Sequence, residues 1–275
     1  MQKTIPTEEL KKSMDKYYNK SGGYLNHLNK KRGTYFSYYS FFLKRYLTNL
    51  KKGSRVLEIG AGDGYATYLL SKEFPDLNFT GTDVSAKFIS YAKKKFKRRN
   101  LHYSIEDSLN MSFQSKSFDA VISTDVVEHI PNVPKWLDES KRVLKKGGLL
   151  IIVTGNHFSP IQPFLDIIRF KKRSPFAVTY LSQFRLLFYN IFMSFIKLIN
   201  PSFIYVNPDL SSRADGGGDF DAVYLANQMD ISIYLRKKGM KIINISFKGP
   251  DLFSKLCGYL LPLFSGMGIV AKKIS

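Results

Sequence analysis

The turn Gly60-Ala61-Gly62-Asp63-Gly64 lies between two strand-like runs, Arg55-Val56-Leu57-Glu58-Ile59 and Asn78-Phe79-Thr80-Gly81-Thr82-Asp83. No other stretch restricts the fold so strongly. Val56, Leu57 and Ile59 form the short apolar run that a strand buried on both faces needs. The glycines carry no Cβ, so the backbone can turn tightly there and come close to a ligand. A helical pattern runs from Tyr65 to Phe74 and stops at Pro75, so free N–H groups at its start face the same cleft. Asp83 closes the second strand, where a carboxylate can accept hydrogen bonds from a ribose diol.

Glycine spacing narrows the choice of ligand. A dinucleotide fingerprint counted from Gly60 would place its third glycine at position 65, which holds Tyr65, and the glycine stands at 64 instead. A tyrosine there would obstruct the close helix–strand approach of a pyrophosphate site. A phosphate-binding P-loop is excluded because no Gly-Lys-Ser/Thr follows the turn. An adenosine with an uncharged or zwitterionic tail suits what remains.

The alternation continues downstream. Strands are expected at 55–59, 78–82, 101–105, 118–123 and 148–154, with helices at 64–73, 85–96 and 133–144. Such alternation argues for a doubly wound parallel sheet. Upstream, Tyr35 to Leu50 has helical apolar spacing and ends at Lys51-Lys52-Gly53. Downstream, 222–239 reads as a helix, followed by strands at Lys241 to Phe247 and Gly268 to Ile274. Four segments are expected: an N-terminal helical cap (1–52), a core (53–156), a helical insertion (157–221) and the end of the core (222–275).

Four blocks together resemble class I S-adenosylmethionine-dependent methyltransferases of the small-molecule, type 11-like branch. These are Val56 to Gly64, Gly81-Thr82-Asp83-Val84-Ser85, the pair Glu106 to Phe113 with Ser117 to Ser123, and Leu144 to Val153. The competing reading is an ordinary α/β fold without cofactor, which rarely carries all four in order. The resemblance implies a Rossmann-like, doubly wound seven-stranded sheet, mostly parallel with an antiparallel last strand, plus the helical insertion. It also implies S-adenosyl-L-methionine as cofactor. Glu58 and the backbone of Gly60, Ala61, Gly62 and Gly64 would hold the methionine end, and Asp83 the ribose. Val84 and Leu109 would sandwich the adenine, with Asp107 receiving its amine beside Ser108, and Thr124 would complete the set. For Asp83 and Asp107, a turn-capping carboxylate is the alternative.

Ser123-Thr124-Asp125-Val126-Val127-Glu128-His129-Ile130-Pro131 follows the fourth strand, where the family's methyl-transfer channel lies. Asp125 and His129 are the candidates for catalysis. An imidazole titrates near neutrality and could take a proton from a hydroxyl acceptor. A histidine that merely orders the loop is the equal alternative, and His157 is the second candidate. The N/D-P-P-aromatic signature of DNA amino-methyltransferases is absent after this strand. The expected reaction is O-methylation of a small-molecule or lipid-linked acceptor, such as a glycan sugar or a quinone-like precursor. RNA methylation and lipid-headgroup N-methylation are the alternatives.

Composition limits the setting. The 42 Lys+Arg against 22 Asp+Glu give +20, which suits either an anionic partner or a lysine-rich solvated surface. The clusters at Lys30–Arg32, Lys93–Arg99 and Lys171–Arg173 lack the aromatic interleaving of RNA-binding modules, so nucleic acid is not the expected partner. One cysteine, Cys257, lies among apolar neighbours as a structural thiol and precludes an intramolecular disulfide. Met1 to Lys20 lacks a signal-peptide core, and no apolar stretch reaches 18 residues. A cytoplasmic protein, with peripheral contact at the inner face of a membrane, is the expectation.

In the insertion, Tyr180 to Asn200 is dense in Leu, Phe, Ile and Tyr, with Arg185 and Lys197 as its charged residues. A lid, an element resting on an anionic membrane and an oligomer contact are all compatible with it. Asp215, Asp219 and Asp221 surround three glycines but lack the spacing of a calcium loop, so no metal site is expected.

Overall fold

A computed structural model describes residues 8–10, 12–13, 39–156, 188–189, 191–193, 196–197, 200–208, 221–245 and 266–274. His157, Asp215, Asp219 and Cys257 lie outside the described residues, as do Tyr17, Tyr18 and Tyr24 of the N-terminal cap, which could border the cofactor mouth or simply pack. The ordered elements are a helix over 39–47 (α1), then β1 (Arg55–Ile59), α2 (Tyr65–Glu73), β2 (Asn78–Asp83) and α3 (Ala86–Lys95). They continue with β3 (Leu101–Ile105), β4 (Phe118–Thr124), a 3-10 turn (Val127–His129), α4 (Val133–Val143) and β5 (Leu144–Gly155). The last are α5 (Gln228–Lys237), β6 (Met240–Asn244) and β7 (Gly266–Lys273).

The seven strands form one sheet in the order β3-β2-β1-β4-β5-β7-β6. β1 to β5 pair in parallel, and β7 runs antiparallel to both β5 and β6. The expected mixed sheet with an antiparallel last strand is therefore what forms.

Strand alternation splits the core between the two faces. Leu57, Ile59, Val121, Leu150 and Ile152 point to one face and pack with Trp136 and Leu137 of α4 and Ile231 of α5. Val56, Ile122, Ile151 and Val153 point to the other, against Leu70 of α2 and Phe42, Leu43 and Leu47 of α1. Adjacent strand residues thus serve opposite cores, and this explains the continuous apolar runs in the sequence. Each fully buried Leu, Ile or Val contributes about 1.5–3 kcal/mol through removal from water.

Helix starts follow local chemistry. Ser85 Oγ accepts the Phe88 N–H at 3.4 Å, and Asn132 Oδ1 accepts the Lys135 N–H at 3.1 Å. Lys93, Lys94 and Lys95 occupy the last turn of α3, where cations favour the helix dipole. That part of the basic excess has a local structural role.

Three boundaries differ from expectation. The helix expected at 222–239 is Gln228–Lys237, because Asn227 Oδ1 caps the N–H groups of Met229 (2.8 Å) and Asp230 (3.3 Å). The preceding Val223 and Tyr224 N–H groups donate instead to the Glu128 carbonyl, at 2.8 and 2.9 Å. β5 begins at Leu144, not 148, since Leu144 pairs with Phe118 ahead of the register shift. The helix expected over Tyr35 to Leu50 ends at residue 47, and residues 35–38 lie outside the described residues.

Lys197, in the insertion, is fully buried and paired with the equally buried Asp230 of α5. Asp230 also accepts from the Ser202 N–H (2.8 Å) and the Tyr224 hydroxyl (3.2 Å). Burial pushes the Lys197 ammonium down and the Asp230 carboxyl up, each partly offset by its partner. Among the described residues, no helix is long and apolar enough to cross a membrane.

Candidate functional site

Strand order reverses between β1 and β4, so a crevice opens outside their carboxyl ends. The glycine turn forms one side of it. Gly60 and Ala61 both donate to the Thr82 carbonyl at 2.8 Å, and Gly62 donates to Asp83 Oδ2 at 2.9 Å. Gly60 has φ 75°, and a Cβ there would sit 2.3 Å from Val126 Cγ2. The turn is therefore packed directly against the loop after β4. Gly64, with φ 80°, has no room either: its Cβ would meet the Ala92 Cβ at 2.6 Å. Gly64 thus performs the close helix packing that a dinucleotide fingerprint assigns to the next position. Tyr65 turns outward and packs against Phe96, ring centroids 5.5 Å apart.

Two carboxyl groups sit beneath the turn. Glu58 is buried in β1, and burial pushes its pKa up to about 7, with the Thr67 hydroxyl opposing and Asp63 adding to the rise. Its Oε2 accepts no hydrogen bond among the described residues. Asp83 closes β2 with an edge open to the crevice. Its Oδ1 accepts the Ser85 N–H and its Oδ2 the Gly62 N–H, both at 2.9 Å. Burial raises its pKa to about 6 against these backbone hydrogen bonds. The Val84 N–H also supports this carboxylate, and its two oxygens together offer about four acceptor positions, so room remains for an outside donor.

Beside Asp83, Val84 is 37% exposed and Ile105 is 53% exposed. Asp83 and Ile105 are register partners in the parallel β2–β3 pair, so two open apolar side chains flank one strand end. Leu109, expected opposite Val84, is instead buried in the core. Asp107 and Ser108 are half-buried, and Asp107 Oδ1 accepts the Leu109 N–H at 3.0 Å, the geometry of a turn cap.

The other side of the crevice is the chain leaving β4. Thr124 ends the strand, half-buried, in register with Val153. Asp125 has φ 51°, a left-handed conformation that non-glycine residues seldom adopt, at a cost of about 1 kcal/mol or more. Its N–H donates to the Val153 carbonyl at 2.8 Å, and its Oδ2 accepts from the Tyr39 hydroxyl of α1. His129 lies four residues on. Its Nδ1 is 3.3 Å from the Asp221 carbonyl and 3.5 Å from Asp221 Oδ2, while its Nε2 is 4.0 Å from Glu128 Oε1. One imidazole is thus bracketed by two carboxyl groups, one from its own turn and one from the far side of the insertion.

Sequence reading passed over Ile105, Tyr39 and the pairing of Asp221 with His129. Ile105 carried a signal, as the residue level with Asp83 on the neighbouring strand. The other two depend on contacts across 86 and 92 positions, which no local pattern encodes.

Residues 57–152 match the family model described as "Methyltransferase domain". Within these residues the chain carries a methyltransferase domain. Over 100 residues this methyltransferase domain is 30% identical to the fatty-acid O-methyltransferase of Mycolicibacterium smegmatis, covering 36% of each chain. Over 106 residues it is 30% identical to a demethylmenaquinone methyltransferase of Tropheryma whipplei, covering 38% of this chain and 43% of that one. The matched stretch spans less than half the length of these relatives. Its fold is also that of a methyltransferase from Aquifex aeolicus, with TM-score 0.53, 15% identity and coverage of 98% of this chain and 100% of that one. The PH0226 protein from Pyrococcus horikoshii gives TM-score 0.54 at 17% identity, covering 94% and 95%.

S-adenosylmethionine is the cofactor of this domain, and the residues present fit it. A buried carboxyl oxygen that accepts no hydrogen bond lies below a turn with no room for side chains at Gly60 and Gly64. A bound ammonium would meet the first need.

Proposed function

We propose that this protein is a methyltransferase acting on a hydroxyl of a small-molecule or lipid-linked acceptor, with a glycan sugar or a quinone-like precursor as the acceptor classes. The observation that carries this reading is the bracketing of His129 by Asp221 and Glu128, in the turn after β4 that also holds the strained Asp125. Relatives named for fatty-acid O-methylation and for demethylmenaquinone add support.

The cofactor supplies a methyl carbon already activated by its sulfonium. What the protein adds is alignment and exclusion of water. In this reading Glu58 accepts from the amino end of the donor, Asp83 accepts from the ribose hydroxyls, and Val84 with Ile105 flanks the base. His129 carries its proton on Nδ1 toward Asp221, which leaves Nε2 to take the acceptor's proton. Asp221 and Glu128 then stabilise the imidazolium as it forms. Asp221 is a positioning residue, acting through His129.

RNA is a less suitable acceptor on geometric grounds. The exposed cluster Lys93 to Lys95 closes α3, while the cleft lies at that helix's start, about 10–14 Å away along the helix.

The deciding experiment is transfer of a labelled methyl group from S-adenosylmethionine to fractionated lipid, sugar and RNA extracts. Label in the lipid or sugar fraction is expected, and label confined to RNA overturns the reading. For the base, His129→Ala is expected to lower kcat by about 100-fold with cofactor affinity unchanged. Asp221→Asn is expected to displace the acid limb of the pH profile. A fully active His129→Ala enzyme removes the histidine from the mechanism.

A further inference from the structure

The helical residues 188–189, 191–193 and 196–197 belong to the insertion and expose an apolar surface. Phe188 is 69% exposed and Phe192 62%, and Tyr189, Ile191 and Ile196 are each about 40% open to solvent. Phe188, Phe192 and Ile196 are spaced four residues apart and are all exposed, so they form one apolar stripe. Lys197, beside Ile196, points the opposite way. That opposite side is fixed. Lys197 is fully buried against Asp230, and its ammonium also donates to the Ser202 carbonyl. With the inner face anchored to α5, the aromatic stripe faces outward.

We propose that this stripe is a docking surface for an anionic lipid bilayer. Charge selects the occupant. The chain carries +20, so two copies approaching through this face would repel, whereas an acidic bilayer would attract. Local charge agrees with the total. Arg236 and Lys237 occupy the exposed last turn of α5, and Lys237 Nζ donates to Asn200 Oδ1 at 2.6 Å. Asn200 in turn donates its N–H to the Ile196 carbonyl at 3.2 Å, so the basic turn borders the end of the stripe. An apolar face with aromatic side chains beside exposed cations is what holds a helix in the headgroup region. The depth is interfacial, since among the described residues no helix is long and apolar enough to cross. Phe188 and Phe192 would enter the acyl boundary while Arg236 and Lys237 meet phosphates. This surface stands independently of the methyl-transfer reading, because it needs neither donor nor acceptor.

The test is co-sedimentation of the full chain with vesicles of phosphatidylglycerol and phosphatidylcholine, alongside pure phosphatidylcholine vesicles. Binding to the anionic vesicles that weakens with salt is expected, with far less binding to the neutral ones. The double variant Phe188→Glu/Phe192→Glu should lose at least about tenfold in partitioning. Arg236→Glu/Lys237→Glu should lose binding mainly at low salt. Both variants keep the Lys197–Asp230 anchor, so unchanged S-adenosylhomocysteine binding is expected, with an unchanged melting temperature for the aromatic variant and a small fall for the charge reversal at the end of α5. Equal binding to neutral vesicles overturns the proposal, as does an aromatic variant that binds like the parent. A variant that converts a dimer to a monomer while still binding vesicles assigns the stripe to a self-contact instead.

Discussion

The Asp83 carboxylate accepts the Gly62 N–H at 2.9 Å, tying the acid that ends β2 to the glycine turn that follows β1. The same group that is placed for a ribose diol therefore also holds the turn. Asp83→Ala should lose affinity for S-adenosylhomocysteine by about 100-fold, the size of one or two hydrogen bonds to a charged group, and should also lower the melting temperature. Asp83→Asn retains one acceptor, enough for Gly62, but turns its NH2 toward the Ser85 N–H. It should keep only part of the thermal stability, more than the alanine variant, and lose about tenfold in affinity. Titration calorimetry beside thermal denaturation separates the two roles, and unchanged affinity in both variants removes Asp83 from the cofactor site.

Glu58 links the site to pH. Its pKa is pushed up to about 7 from an ordinary 4.5, so between those values the folded protein binds more protons than the unfolded chain. Its contribution to stability therefore falls as pH rises from about 4.5 to 7, by about 3 kcal/mol at most. Asp83, raised to about 6, adds a fall of the same sign between about 4 and 6. Ligand binding should run the other way, since an ammonium favours the ionised carboxylate. Affinity for S-adenosylhomocysteine should rise with pH up to about 7 and then level off. Glu58→Gln should flatten that rise and stabilise the ligand-free protein at pH 8. Calorimetry from pH 5.5 to 8.5 measures both.

Gly64 is closed to substitution. Its φ of 80° acts together with an Ala92 Cβ only 2.6 Å and a Tyr103 Cε1 2.8 Å from the position of an added Cβ, and Tyr103 is itself buried. Gly64→Ala should destabilise by about 2–4 kcal/mol. Gly53 has the same φ but nothing within 4 Å of an added Cβ. Gly53→Ala should therefore cost only about 1 kcal/mol. Urea denaturation of the pair isolates the packing contribution, and equal losses would mean that backbone conformation alone matters.

The Lys197–Asp230 pair should respond unequally to the loss of either partner. Asp230→Ala strands a buried ammonium and also orphans the Ser202 N–H and the Tyr224 hydroxyl, so a loss of about 3–5 kcal/mol is expected. Lys197→Met leaves Asp230 with both of those donors, and its raised pKa lets it take up a proton, so a loss of about half that size is expected. Equal losses in denaturant titrations would show that the donors to Asp230 contribute nothing.

Much of the core was legible because its signals are local. The run Val56 to Ile59, the stop at Pro75 and the caps at Ser85 and Asn132 each act within a few residues, and β1 to β4 and α2 to α4 form within a residue or two of expectation. The 222–239 segment was misread because its composition is helical while its backbone donors have a better partner. Val223 and Tyr224 give their N–H groups to Glu128, 95 and 96 positions away. On the adenine side the sequence does not show how far each side chain is drawn in: Val84 stands exposed at its strand end, whereas Leu109 packs into the core.

By itself the sequence determined the donor side: a glycine turn whose spacing fits an adenosine cofactor, on a sheet whose strands are apolar on both faces. Those are properties of neighbouring residues, fixed by sterics and period. Only the tertiary structure decided what surrounds the acceptor side. Asp221 reaches His129, Tyr39 reaches Asp125, and Lys197 turns inward to Asp230 so that Phe188 and Phe192 face solvent. Each of these depends on which segments the fold brings together, and a side chain's neighbours across dozens of residues are set by packing, not by the residues beside it in the chain.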